Sequence, residues 1–77
     1  MQNLDFEFRG DADDTLSQMY DAIRQYGQAS VGDLWDLMGV SNESTDYNYG
    51  WYNLDGAVIK GIPGGYRLML PRPVPLR

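Results

Sequence analysis

The 77 residues include no cysteine and no histidine. The first absence removes disulfides and thiol nucleophiles, and the two together remove the usual Cys/His zinc sites. The second also removes the imidazole base on which many catalytic triads depend. Basic residues are scarce, six Lys and Arg against eleven Asp and Glu, for a formal charge of −5. No apolar run approaches the roughly 18 residues of a bilayer span. The acidic start has neither the basic end nor the apolar stretch of a secretory leader, so the expectation is a cytoplasmic protein without membrane contact. No metal or cofactor is expected.

The chain does contain the material for one small folded domain over residues 1–77. Leu, Ile, Val and Phe number 17, and ten aromatics add apolar bulk, which places the sequence on the folded side of the disorder boundary. A chain of this length buries only about 60% of the surface its unfolded form exposes. That leaves room for a core but not for a deep catalytic pocket as well, so an enzyme is not expected.

Charge is segregated along the sequence. All eleven carboxylates lie in residues 1–56, opposed there by Arg9 and Arg24, which leaves −9; residues 57–77 hold Lys60, Arg67, Arg72 and Arg77 and no acid, giving +4. Such asymmetry bears on partners or on internal charge pairing more than on fold.

Periodicity supplies the elements. In residues 1–10, Leu4, Phe6 and Phe8 alternate with Asp5, Glu7 and Arg9, which reads as a short strand or an acidic arm. Gly10 breaks that pattern. Leu16, Met19, Tyr20, Ile23 and Tyr26 then recur at helical spacing, predicting a helix over 14–26 capped by Asp11, Asp13 and Asp14 and stopped by Gly27. Ser30 with Asp33 forms a capping box for a second helix over 31–38, with Val31, Leu34, Trp35, Leu37 and Met38 apolar and Gly39 terminal. Residues 41–50 read as a polar loop, 54–70 as a β-hairpin turning at Gly61–Gly65, and 71–77 as a proline-rich extended tail. In the hairpin, Ala57, Ile59, Tyr66, Leu68 and Leu70 should face the helices.

The predicted fold class is therefore α+β: two helices in helix-turn-helix order followed by a hairpin, winged-helix-like, with the N-terminal strand available to complete a small antiparallel sheet. DNA contact through the second helix meets a physical obstacle, because that helix carries Asp33 and Asp36 and no cation to neutralise phosphate. The nucleic-acid alternative rests instead on the hairpin and tail, with Lys60, Arg67 and Arg72 as its contacts. Their competing role is to balance the acidic helices within the monomer. The run YNYGWY, with Tyr47, Tyr49, Trp51 and Tyr52, is rich in the side chains that anchor protein interfaces, while Trp51 could equally close a thin core. The Asp11, Asp13, Asp14 cluster lacks the glycine and distal glutamate of a calcium loop.

The runs DLWDLMGV and YGWYNLDGAVIKGIPGGYRLMLPRPVPL carry Tyr49-Gly50-Trp51, Leu54 with Ala57, Gly65-Tyr66 and Leu70-Pro71-Arg72-Pro73. In these features the sequence resembles an uncharacterised family of short proteins from phages, prophages and mobile elements of Gram-positive bacteria. The resemblance spans about the last 45 residues, and the N-terminal stretch MQNLDFEFRGDADD departs from it. It implies a mobile-element origin in a bacterial cell and brings no activity. The expected function is thus a non-enzymatic protein-binding module with an unidentified protein partner. Asp33, Asp36, Tyr47, Tyr49 and Trp51 would form its contact surface, and its acidic side could inhibit a host nucleic-acid-binding system. The alternative is a winged-helix DNA-binding regulator.

Overall fold

The computed structural model describes residues 3–77. Its elements run β1 (Asp5–Phe6), α1 (Arg9–Tyr26), β2 (Ala29–Ser30), α2 (Val31–Met38), a 3₁₀ turn (Ser44–Asn48), β3 (Tyr49–Trp51), β4 (Val58–Ile62), β5 (Gly65–Met69) and β6 (Val74–Pro75). The fold is α+β, with two helices ahead of the hairpin as the sequence predicts. The strands form two three-stranded antiparallel sheets, ordered β1-β5-β4 and β2-β3-β6.

The N-terminal strand does join the hairpin: Asp5 pairs with Arg67 and Phe6 with Tyr66, and the Leu68 N–H donates to the Leu4 carbonyl at 2.9 Å. Leu4 is consequently buried. The first helix begins at Arg9, earlier than the predicted start at residue 14. Gly10 lies within its first turn, and nothing else crowds it there. Ala12 and Thr15 are buried, and the Thr15 hydroxyl donates to the Asp11 carbonyl at 2.9 Å, so packing against the core holds the early turns despite the glycine. Asp11, Asp13 and Asp14 are therefore inside the helix, where Asp11 still favours the positive end of the dipole; the N-cap is Phe8, with no side-chain bond.

The buried stripe of α1 is Ala12, Thr15 and Met19, flanked by Leu16, Ala22 and Ile23. Tyr20 and Tyr26, expected in that stripe, are exposed. Gly27 ends the helix in the left-handed region (φ 80°) with its N–H on the Ile23 carbonyl. The capping box of α2 is complete, with Asp33 N–H on Ser30 Oγ and Ser30 N–H on Asp33 Oδ2, each at 2.9 Å.

Residues 41–50 hold more structure than a loop: Tyr49 and Gly50 enter a strand that runs between β2 and the tail. Proline placement explains how the tail pairs. Leu76 N–H donates to the Asn48 carbonyl at 2.8 Å, so Val74, two residues back, turns its N–H to the same side, while Pro73 and Pro75 turn their donor-less nitrogens outward. Alternating prolines thus let the tail add one strand and close the edge behind it. In the hairpin, Pro63 and Gly64 form the two-residue connection between Ile62 and Gly65, and Gly64 at φ 83° supplies the positive angle that a Pro-Gly type II turn needs. Leu68 is buried, with Ala57, Ile59 and Leu70 packed on the core as the alternation predicts.

Candidate functional site

Burial separates Trp51 from the rest of the aromatic run. Trp51 is only 2% exposed, sits with Met19, Leu34 and Leu54 among the largest fully buried side chains, and donates its indole N–H to the Pro71 carbonyl at 2.7 Å. It is a structural residue tying the tail to the core, which corrects its assignment to the contact surface. The cause is register: Trp51 pairs with the buried Ala29 on β2 and so turns inward, whereas Tyr49, two residues earlier, lies near the sheet's end opposite Pro75 and is half exposed. Tyr52 is also partly exposed, and its hydroxyl accepts the Arg77 N–H at 3.0 Å.

Asp33, Asp36 and Tyr47 come together around α2. Asp36 Oδ2 accepts the Tyr47 hydroxyl at 2.8 Å, and its Oδ1 accepts the Asn42 amide at 2.7 Å. The bond to Asp36 is the main reason the Tyr47 phenol is pushed above the ordinary tyrosine range, because ionising it would place two negative oxygens in contact. The Tyr47 ring lies on Gly32, where a Cβ would come within 2.5 Å of it. A residue with a side chain at 32 would therefore expel the ring and release Asp36.

The same two carboxylates, Asp33 and Asp36, also line a groove of about 450 Å³ between α1 and α2. From α1 come Gln18, Asp21, Ala22, Gln25 and Tyr26; from α2 come Asp33, Asp36 and Leu37. Two of these, Tyr26 at 73% and Leu37 at 37% exposed, are the apolar residues that helical periodicity assigns to the core. They lie instead beside three carboxylates. Each carboxylate is held: Asp21 by Arg24, Asp33 by the capping box, Asp36 by Asn42 and Tyr47. A second groove of about 370 Å³, lined by Trp35, Val40, Ser41, Asn42, Glu43 and Asp46, adds two more acids nearby. The α1 contribution is absent from the site residues the sequence suggests, although Gln18, Asp21, Ala22 and Gln25 share one face by their three- and four-residue spacing.

The cationic candidates are placed differently. Lys60 and Arg67 are opposite each other in the hairpin, and Arg67 is clasped by Asp5 through Nε at 2.7 Å and a terminal nitrogen at 3.1 Å. This pair lowers the Asp5 pKa and raises that of Arg67, in both cases chiefly by the hydrogen bonding between them. Arg72 is exposed on the tail. Among the described residues, Asp5 with Arg67 is the one ion pair joining the acidic and basic halves of the chain, since Arg9 pairs with Asp13 and Arg24 with Asp21 inside α1. Among the described residues, ion pairing between the two charge blocks is thus confined to Asp5 with Arg67. No family model, curated protein or solved structure matches the chain significantly.

Proposed function

We propose that this protein is a binding module, acting without catalysis, that presents the groove between α1 and α2 to a basic protein surface. The observation that carries this reading is the conjunction of Asp21, Asp33 and Asp36 with exposed Tyr26 and Leu37 around one concavity. Carboxylates alone are a solvated face. Carboxylates around apolar side chains left out of the core can take a cationic segment that also inserts an apolar side chain, the combination that gives interfaces both steering and anchoring. The internal hydrogen bonds of Asp33 and Asp36 fix these carboxylates in place, so little side-chain freedom is lost when a cation docks.

The target class that fits is the basic channel of a nucleic-acid-binding protein, occupied here by carboxylates in place of phosphates. A bacterial host setting, implied by the resemblance of the last 45 residues to mobile-element proteins, is part of the same proposal. DNA contact through the hairpin is the weaker reading, because Asp5 already occupies Arg67.

The test is an NMR titration of the ¹⁵N-labelled chain with a Lys/Arg-rich amphipathic peptide. The expected result is chemical-shift change at residues 18–26 and 33–37, affinity that falls with salt, and at least about tenfold weaker binding for Asp21→Lys with Leu37→Glu. Equal binding by that double variant, or shifts confined to other surfaces, would overturn the assignment.

A further inference from the structure

The two sheets have four edges, and among the described residues three of them are short or closed. β1 and β2 are two residues long, and β6 turns proline nitrogens outward. β4 is five residues, Val58–Ile62, paired in unbroken register on one side only and free of proline. An unpaired edge of this length is a template for another strand. The register shows which backbone groups it offers. Ile62 and Gly65 flank the two-residue turn, so Val58, Lys60 and Ile62 exchange bonds with β5, while the N–H and C=O of Ile59 and Gly61 point outward. The opposite strand agrees: Leu68, the partner of Ile59, gives its N–H to Leu4 on the far side.

The side chains around that edge say what kind of strand it takes. On the outer face a row runs Asp5, Arg67, Lys60. Arg67 and Lys60 are like charges directly opposite each other, an unfavourable cross-strand pair. Asp5 neutralises Arg67 from one side; Lys60 is exposed and has no carboxylate within ion-pair distance among the described residues. Beside Lys60 on the same face, Val58 and Met69 are paired and stay 54% and 44% exposed.

We propose that the β4 edge is a strand-addition site for an extended protein segment in which acidic and apolar residues alternate, its carboxylate lying beside Lys60. The chain's own β1 shows the recognition on the opposite edge of the same hairpin. There Leu4, Asp5 and Phe6 supply an acid to the outer face between two apolar residues on the inner face, and Asp5 meets the cation of the neighbouring strand. Adding such a strand to β4 would extend the row to acid, cation, cation, acid. This surface is distinct from the α1/α2 groove and opposite in charge, so the partner it takes is a different one.

The experiment titrates the full ¹⁵N-labelled chain with the blocked peptide Leu-Asp-Phe-Glu-Phe, its Asp-to-Lys counterpart, and a version N-methylated along its backbone. The expected result is shift changes and slowed amide exchange at Ile59 and Gly61 with the acidic peptide, and loss of both on N-methylation. In Lys60→Glu, confirmed folded by tryptophan fluorescence, binding of the acidic peptide should weaken by at least about tenfold and the Lys peptide should become the preferred ligand. Four results would overturn the proposal: no change at Ile59 and Gly61, changes confined to Tyr66 and Leu68 from displacement of β1, equal affinity in Lys60→Glu, or protection of Ile59 and Gly61 in a self-dimer without peptide.

Discussion

Replacing Trp51 by Phe separates a structural role from a contact role. The substitution keeps an aromatic ring in the core but removes the indole N–H that donates to the Pro71 carbonyl at 2.7 Å. Loss of that part-buried bond costs about 1 kcal/mol. The smaller ring gives up roughly 50 Å² of buried apolar contact, worth about 1 kcal/mol at about 25 cal/mol per Å². The expected total is about 2 kcal/mol. For 77 residues at about 0.05–0.15 kcal/mol each the whole stability is roughly 4–12 kcal/mol, so the loss is a substantial share. Urea unfolding followed by the fluorescence of Trp35, which stays buried in α2, reads the change directly. With a slope near 1 kcal/mol per M for so small a domain, the midpoint should fall by about 2 M. A midpoint that moves by less than about 0.5 M while binding of a basic peptide is lost would refute the assignment of Trp51 to the core and return it to the interface.

Two glycines should respond in opposite directions to alanine. At Gly50, held between β2 and β6, a Cβ would meet the Ala29 carbonyl oxygen and come within 2.6 Å of Ser30 Cα, so Gly50→Ala should lose about 3 kcal/mol in urea unfolding. At Gly10 in α1 nothing lies within 4 Å, so Gly10→Ala should gain about 0.5–1 kcal/mol. The Asp5–Arg67 pair predicts an acid-sensitive contribution. The carboxyl pKa is lowered in the folded chain, so the stabilisation is present above the unfolded value near 3.9 and fades as pH falls through the folded one. Urea midpoints of the native chain and Asp5→Asn should therefore differ at pH 7 and converge at low pH; a constant difference would show that the pair does not titrate as described.

The helices and the hairpin were legible because each rests on local rules. Ser30 with Asp33 caps α2, Gly27 and Gly39 stop the helices with positive φ, Pro63-Gly64 turns the hairpin, and alternation from Ala57 to Leu70 sorts its faces. The start of α1 was misplaced for the same reason. Gly10 is a local signal against helix, and it is outweighed by the burial of Ala12 and Thr15, which no local rule states. Of the residues the sequence suggests for a contact surface, Asp33, Asp36, Tyr47 and Tyr49 lie at the surface, but the α1 half of the proposed groove is not legible because no spacing rule says which face of one helix meets which face of another.

What the sequence determines by itself is the chemistry this chain lacks, with no thiol or imidazole, and the segregation of its charge, eleven acids before residue 57 and four cations after. Tertiary structure decides how those charges are used. Pairing β1 with β5 places Asp5 on Arg67 and leaves Lys60 beside an open edge, and packing α1 against α2 turns scattered aspartates into one groove. Pairing β3 with β2 buries Trp51, while the helix packing leaves Tyr26 and Leu37 outside. Composition cannot distinguish these fates, because burial of an aromatic depends on strand register and helix placement, which are set by contacts between residues distant in the chain.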